Sequence, residues 1–241
     1  MTEMLYLLDC YIKDFNTIVS DIREQENNFL IVLEQTAFYP RAGGQPEDRG
    51  FLIKGNYKYL VKDVLKSNDK VIHVVEKTND FDLKRGDAVR GIIDWERRYY
   101  FMRCHTAAHI LSAIINKETG ALITGNNIDE EKVRIDFNLE NFDREKFNEY
   151  VKMANDFINE NHPVELSILD REEAFKIPDL VKLQKMLPES IKKVRIVKIQ
   201  GLDVQACGGA HVKNTSEIKG IQLLSVENKG KNNRRIYFRI L

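Results

Sequence analysis

The chain has 241 residues, 43% of them hydrophobic, and its 37 Lys and Arg balance its 37 Asp and Glu. That length suits one large or two small domains. Zero net charge excludes a global field that would draw the chain to nucleic acid or membrane, so any such partner must be met by a local patch.

The apolar start Met4-Leu5-Tyr6-Leu7-Leu8 meets Asp9 and Lys13 too soon for a signal peptide, and no apolar run approaches membrane-spanning length. From Met4 to about Ile93 the pattern is strand-like. Runs such as Phe29-Leu30-Ile31-Val32-Leu33 and Val71-Ile72-His73-Val74-Val75 are punctuated by Gly, Asn and Asp, which predicts a small β-barrel or sandwich. Within it, Thr36 to Gly50 reads as a long, turn-rich loop. Its paired glycines Gly43 and Gly44 expose backbone N–H groups, and Arg41, Gln45 and Arg49 offer donors suited to phosphate or bases. A hairpin loop without a partner fits the same spacing.

Asp94 is a candidate N-cap, after which Phe101, Cys104, Ala108, Leu111 and Ile115 recur at helical steps. The boundary between two domains, 1–93 and 94–241, is placed there. A second helix is predicted from Asp143 to Asn159, with Phe147, Tyr150, Val151, Ala154, Phe157 and Ile158 on one face, ended by His162-Pro163. Asp170 and Glu173 predict a capping box on a short helix that stops before Pro178. Strands are expected at Val194–Gln200, Leu202–Ala206, Gly220–Val226 and Arg235–Ile240, the last two forming a hairpin across Asn228 to Asn233. The second domain is therefore α+β, with helices packed on an antiparallel sheet. Charge is uneven: 129–160 is acidic, whereas Lys213 to Arg239 is basic and either lies along phosphates or forms a solvated hairpin face.

The three cysteines, Cys10, Cys104 and Cys207, are too few and odd in number for a disulfide framework; they suit a reducing compartment, and a cytosolic protein is expected. Two motifs about a hundred residues apart supply metal ligands: His105-Thr106-Ala107-Ala108-His109 and Cys207-Gly208-Gly209-Ala210-His211. Residues four apart on a helix share a face, so His105 and His109 can address one ion, and the Cys-xxx-His turn can complete a tetrahedral zinc site. Gly208 and Gly209 are read as permitting a tight turn with positive φ that lets Cys207 and His211 converge. Cys104 sits on the apolar stripe and is assigned to packing. His73 and His162 have no evident place. No glutamate lies between the helical histidines as it does in zinc proteases, so peptide hydrolysis is disfavoured. Mixed Cys and His ligands fit a structural ion as well as a catalytic one.

This ordered set resembles a known family, the free-standing alanyl-tRNA editing proteins called AlaX, which are similar to the editing domain of alanyl-tRNA synthetase. The resemblance rests on Arg97-Arg98, on Met102-Arg103-Cys104 leading into the histidine motif, and on Arg134-Ile135-Asp136-Phe137. It continues in the Cys-Gly-Gly-Ala-His motif with Val212, Asn214-Thr215 and Glu217-Ile218. Phe38-Tyr39-Pro40 and Gly43-Gly44-Gln45 resemble the glycine-rich motif of the medium-length members, which carry a β-barrel before the editing domain. One departure is Ala210, where the family usually has threonine; a hydroxyl able to support the ligands is missing there.

The resemblance implies a cytoplasmic hydrolase acting in trans on alanine-specific tRNA wrongly charged with serine, or with glycine, at a zinc site formed by His105, His109, Cys207 and His211. Such a second site is needed because a pocket that accepts alanine cannot strongly reject a residue that adds only a hydroxyl. Thr124, in Ile123-Thr124-Gly125, is the candidate for reading that hydroxyl, with a turn or cap as its alternative role. Gln205 is the candidate for orienting substrate or water. Gly43, Gly44, Gln45, Arg98 and Arg103 are candidates for substrate binding, although both arginines could equally pair within the protein. Rival expectations are a non-catalytic tRNA-binding module with structural zinc, and editing of mischarged threonine-specific tRNA.

Overall fold

The computed structural model describes residues 2–140, 143–178, 180 and 191–241. The chain divides into two compact units, Met1–Tyr100 and Phe101–Leu241.

The first unit carries β1 (Glu3–Met4), β2 (Asp14–Gln25), β3 (Asn28–Leu33), β4 (Gln35–Thr36), β5 (Gly50–Lys54), β6 (Tyr57–Ser67), β7 (Lys70–Glu76) and β8 (Ala88–Ile93). Six of these close a barrel in the order β2-β3-β7-β6-β5-β8, and every ladder in it is antiparallel. Alternation along the strands turns Phe15, Val19, Ile31, Leu33, Leu52, Tyr59, Val61 and Val75 inward, as the period of two demands. The barrel expectation holds, and the sandwich alternative does not.

His73 lies in this interior, fully buried. Its Nδ1 donates to Ile31 O at 3.0 Å, while Nε2 accepts from the Thr36 hydroxyl at 2.8 Å. Burial pushes its pKa down to about 4, against a partial upward pull from the Ile31 carbonyl, so the ring is neutral at pH 7.

Helix α1 (Trp95–Thr119) begins after Asp94, whose Oδ1 caps it as expected by accepting from the Arg97 N–H at 3.2 Å. The division into units falls inside this helix, after Tyr100 rather than before Asp94. The reason is that its first turns are tied to the first unit, with Arg97 and Arg98 bound to Glu47 and Asp48 and with Trp95 and Tyr99 packed on Tyr11. From Phe101 to Ile115 nearly every position of α1 is buried, a broader apolar surface than the single stripe expected.

The second unit adds β9 (Ile123–Ile128), β10 (Val133–Phe137), α2 (Arg144–Asn159), β11 (Val164–Asp170), α3 (Arg171–Ala174), β12 (Lys193–Ile199), β13 (Asp203–Ala206), β14 (Ile221–Asn228) and β15 (Arg234–Ile240). These strands form two antiparallel sheets, β14-β15-β10-β9 and β11-β12-β13. Asp143 caps α2 by accepting the Glu145 N–H at 2.9 Å, and Phe147, Tyr150, Val151, Ala154 and Ile158 are its buried face. Asn155 docks α2 onto β14 through both backbone groups of Ile221, at 2.7 and 2.9 Å. The fold of this unit is α+β, as expected.

The short helix α3 exists, but Asp170 does not cap it with its side chain. Asp170 is instead the last residue of β11, opposite Lys193, and the Arg171 N–H is taken by Lys192 O at 2.8 Å, so strand pairing already satisfies the helix start. The reciprocal Glu sits elsewhere: Glu217 Oε1 accepts the backbone N–H groups of Lys213 and Asn214, at 3.0 and 2.9 Å.

Candidate metal centre

Helix α1 presents His105 and His109 one turn apart, and the turn after β13 brings Cys207 and His211 to them. One donor atom from each of the four lies within 4.8 Å of all the others. Cys207 Sγ stands 3.5 Å from His105 Nε2 and 3.4 Å from His211 Nε2. A tetrahedral zinc with Zn–S near 2.3 Å and Zn–N near 2.0–2.1 Å has an S···N edge of about 3.5 Å, so these separations match such an ion. His105 and His211 are buried, His109 is 9% exposed and Cys207 is half-buried.

The protonation states agree with ligation. Burial acts to raise the Cys207 thiol, but the imidazoles of His105 and His109 outweigh it and hold the pKa well below the ordinary thiol value. His211 is held well below the usual histidine value, first by burial and then by its neighbour His105. A Cys207 thiolate and a neutral His211 imidazole are donor forms that zinc takes. The residues present therefore fit the metal.

The turn between the ligands depends on glycine for a reason other than the one expected. Neither Gly208 nor Gly209 has positive φ. At Gly209 the cause is space: a Cβ there would stand 1.9 Å from His105 Cε1 and 2.3 Å from its Nδ1, so the imidazole packs directly on the Gly209 backbone. A Cβ at Gly208 meets nothing within 4 Å.

Two side chains not singled out in the sequence hold this geometry. Thr106 Oγ1 donates to Met102 O at 3.0 Å, and so is left to accept from His211 Nδ1 at 3.1 Å and from the Val212 N–H at 3.3 Å. That bond fixes the proton on Nδ1 and leaves Nε2 to face Cys207. A hydroxyl thus does support the ligands, from Thr106 inside the histidine motif rather than from position 210. Arg195 on β12 donates from one terminal nitrogen to Cys207 O and to Gly209 O, each at 2.8 Å. Thr106 could have been flagged by its position between two ligands, and Arg195 by its charge within the apolar run Val194-Arg195-Ile196-Val197.

The other predicted site residues are distributed as follows. Gln205, buried on β13 two residues before Cys207, donates from Nε2 to Asp203 Oδ2 at 2.6 Å. Thr124 is exposed on β9, its hydroxyl 3.4 Å from Asn233 Oδ1. Arg103 donates to Glu217 O and Ile218 O at 2.9 and 2.8 Å, anchoring the segment after His211 to α1.

Arg98 corrects an expectation. Its guanidinium is 0% exposed and donates to Asp48, Cys10 O and Ala37 O, so it takes the internal-pairing role rather than meeting phosphate. Gly43 and Gly44, with φ of 59° and 84°, form a two-residue hairpin turn closed by paired backbone bonds between Ala42 and Gln45, at 2.9 and 3.2 Å. Gln45 is enclosed, at 1% exposure, while Arg41 and Arg49 remain largely exposed around the buried carboxylate of Glu47. In the basic stretch, Arg235 is bidentate to Asp136 at 2.7 and 3.0 Å. Arg234 is buried and donates to Asn228 and Gly230 in the β14–β15 loop, so two of the stretch's cations are engaged inside the sheet.

Comparison with known proteins places the chain among aminoacyl-tRNA editing sequences. Residues 194–237 match the family described as the threonyl and alanyl tRNA synthetase second additional domain, and residues 9–97 match class II (A) tRNA synthetases. The alanyl-tRNA editing protein AlaX-M of Methanosarcina acetivorans is 49% identical, with all of both chains covered. AlaX-M of Saccharolobus solfataricus is 43% identical over all of this chain and 99% of that one. The alanine–tRNA ligase of Ignicoccus hospitalis is 36% identical over 93% of this chain but only 24% of the ligase. Among the described residues no helix is long and apolar enough to cross a membrane.

Proposed function

Because the chain belongs to the AlaX family of alanyl-tRNA editing proteins, we propose that it is an aminoacyl-tRNA deacylase acting in trans on alanine-specific tRNA that carries serine or glycine, with zinc at its centre. The observation that carries this reading is the convergence of His105, His109, Cys207 and His211, with donor atoms within 4.8 Å of one another and Cys207 Sγ 3.4–3.5 Å from two of the imidazoles. When bound there, zinc supplies Lewis acidity. Thr106 keeps His211 in the tautomer whose Nε2 faces the centre, and Gly209 leaves room for the His105 ring.

The reaction cleaves the ester between the aminoacyl carbonyl and the terminal ribose; water adds its oxygen to the carbonyl carbon and the ribose hydroxyl leaves with a proton. Discrimination against alanine requires a polar partner that is left unsatisfied when the hydroxyl is missing. We assign that role to Thr124, whose exposed hydroxyl makes a long bond to Asn233, and we assign Gln205 to orienting substrate or water beside Cys207. The Gly43-Gly44 turn, with Arg41 and Arg49 beside it, is assigned to the tRNA backbone.

The test is to follow amino-acid release from alanine-specific tRNA charged with serine, glycine or alanine, and from threonine-specific tRNA charged with serine. Rapid hydrolysis of the first two, with alanine spared and the threonine-specific tRNA slow, is expected. Binding of tRNA without turnover in any arm favours the non-catalytic module instead.

A further inference from the structure

The turn that carries Cys207 contains two glycines, the residues with most backbone freedom to lose, and its own hold on the sulfur is one bond, from the Gly209 N–H to Cys207 Sγ at 3.4 Å. What holds it is one residue on the neighbouring strand. Arg195 lies on β12 among the buried side chains Val194, Ile196 and Val197, and is itself 7% exposed. Its backbone carbonyl accepts the Cys207 N–H at 3.0 Å, and its guanidinium donates to Cys207 O and Gly209 O at 2.8 Å each. Three bonds from one residue therefore bracket the Cys-Gly-Gly segment at both ends. Since the His105 ring rests on Gly209, the bond to Gly209 O also sets the surface against which that second side chain packs.

We propose that Arg195 is the positioning residue of the metal centre, fixing Cys207 through its backbone N–H and carbonyl and His105 through Gly209. The inference rests on the zinc reading above. A guanidinium suits the task because the two hydrogens of that one terminal nitrogen are held in the plane of the group and so meet the two carbonyls at fixed angles, whereas an ammonium rotates on a flexible stem.

The experiment measures zinc affinity by chelator competition, and the absorption of the cobalt-substituted protein as a report on ligand geometry, in the full chain and in Arg195→Met and Arg195→Lys. Loss of an outer contact of this kind weakens metal binding by roughly 10–100-fold. The Met variant is expected in that range, the Lys variant between it and the unaltered protein, and both cobalt spectra are expected to depart from that of the unaltered chain. Should the Met variant fail to fold, the Lys variant, which keeps charge and much of the volume, decides alone. Zinc affinities within about twofold of the unaltered protein, with unchanged cobalt spectra, overturn the assignment. An unaltered protein that binds neither metal overturns the zinc reading itself, and the assignment with it.

Discussion

Replacing Gly209 by alanine, with Gly208→Ala as its control, isolates the contact that the metal centre depends on. A Cβ at 209 stands 1.9 Å from His105 Cε1, whereas carbon atoms in contact settle near 3.5 Å, so the ring has to move by roughly 1.5 Å. Metal ligands tolerate displacements of about 0.2 Å. His105 therefore leaves the coordination sphere, and zinc affinity is expected to fall by about 100-fold or more, equivalent to roughly 2.7 kcal/mol. The backbone at 209 has ordinary φ, so alanine brings no conformational strain of its own, and at Gly208 a Cβ meets open space. Zinc titration against a competing chelator, read beside deacylation rates, measures the difference between the two variants. If Gly209→Ala binds zinc as tightly as Gly208→Ala, the packing argument is wrong.

Thr106→Val, which keeps the shape but removes the acceptor for His211 Nδ1, is expected to weaken zinc binding by roughly 10–100-fold without unfolding the chain; calorimetric titration with a circular-dichroism control checks it. His73 makes stability depend on pH: its folded pKa of about 4 lies below the unfolded value near 6.5, so the unfolded chain takes up the proton first. Stability is accordingly lost as pH falls from about 6.5 to 4, by roughly 3 kcal/mol in total, a slope that urea melts of the unaltered chain should show and that His73→Gln should lack. The double variant Gly43→Val, Gly44→Val forces β-branched residues into left-handed backbone at about 1–2 kcal/mol each. It is expected to lower kcat/KM on charged tRNA with zinc content unchanged, and equal turnover would leave the turn a purely structural part.

Much of the fold was legible because it depends on short-range pattern. The barrel strands alternate, Asp94 and Asp143 cap their helices, and the β14–β15 hairpin follows from its turn residues. Strands β9, β10 and β11 were not recognised. β9 reads Ile-Thr-Gly-Asn-Asn-Ile, poor in β-formers, and gains its place only by pairing with β10. The four clustered side chains were legible as two motifs, but what holds them together was not. The Gly209 requirement arises from a ring a hundred residues away, and Arg195 reaches its carbonyls across a strand pair, contacts that local spacing does not encode. Arg98 is open in the sequence to phosphate or to internal pairing, and the choice is made by the barrel, which brings Asp48, Cys10 and Ala37 to it.

The central claim, that one zinc held by His105, His109, Cys207 and His211 is required to hydrolyse serine from alanine-specific tRNA, is tested most directly by titrating zinc into chelator-treated protein while following serine release. Activity should rise from the buffer rate and level off at one equivalent of zinc per chain, and should not return in His105→Ala. Serine release that persists undiminished in the chelated protein would contradict the account.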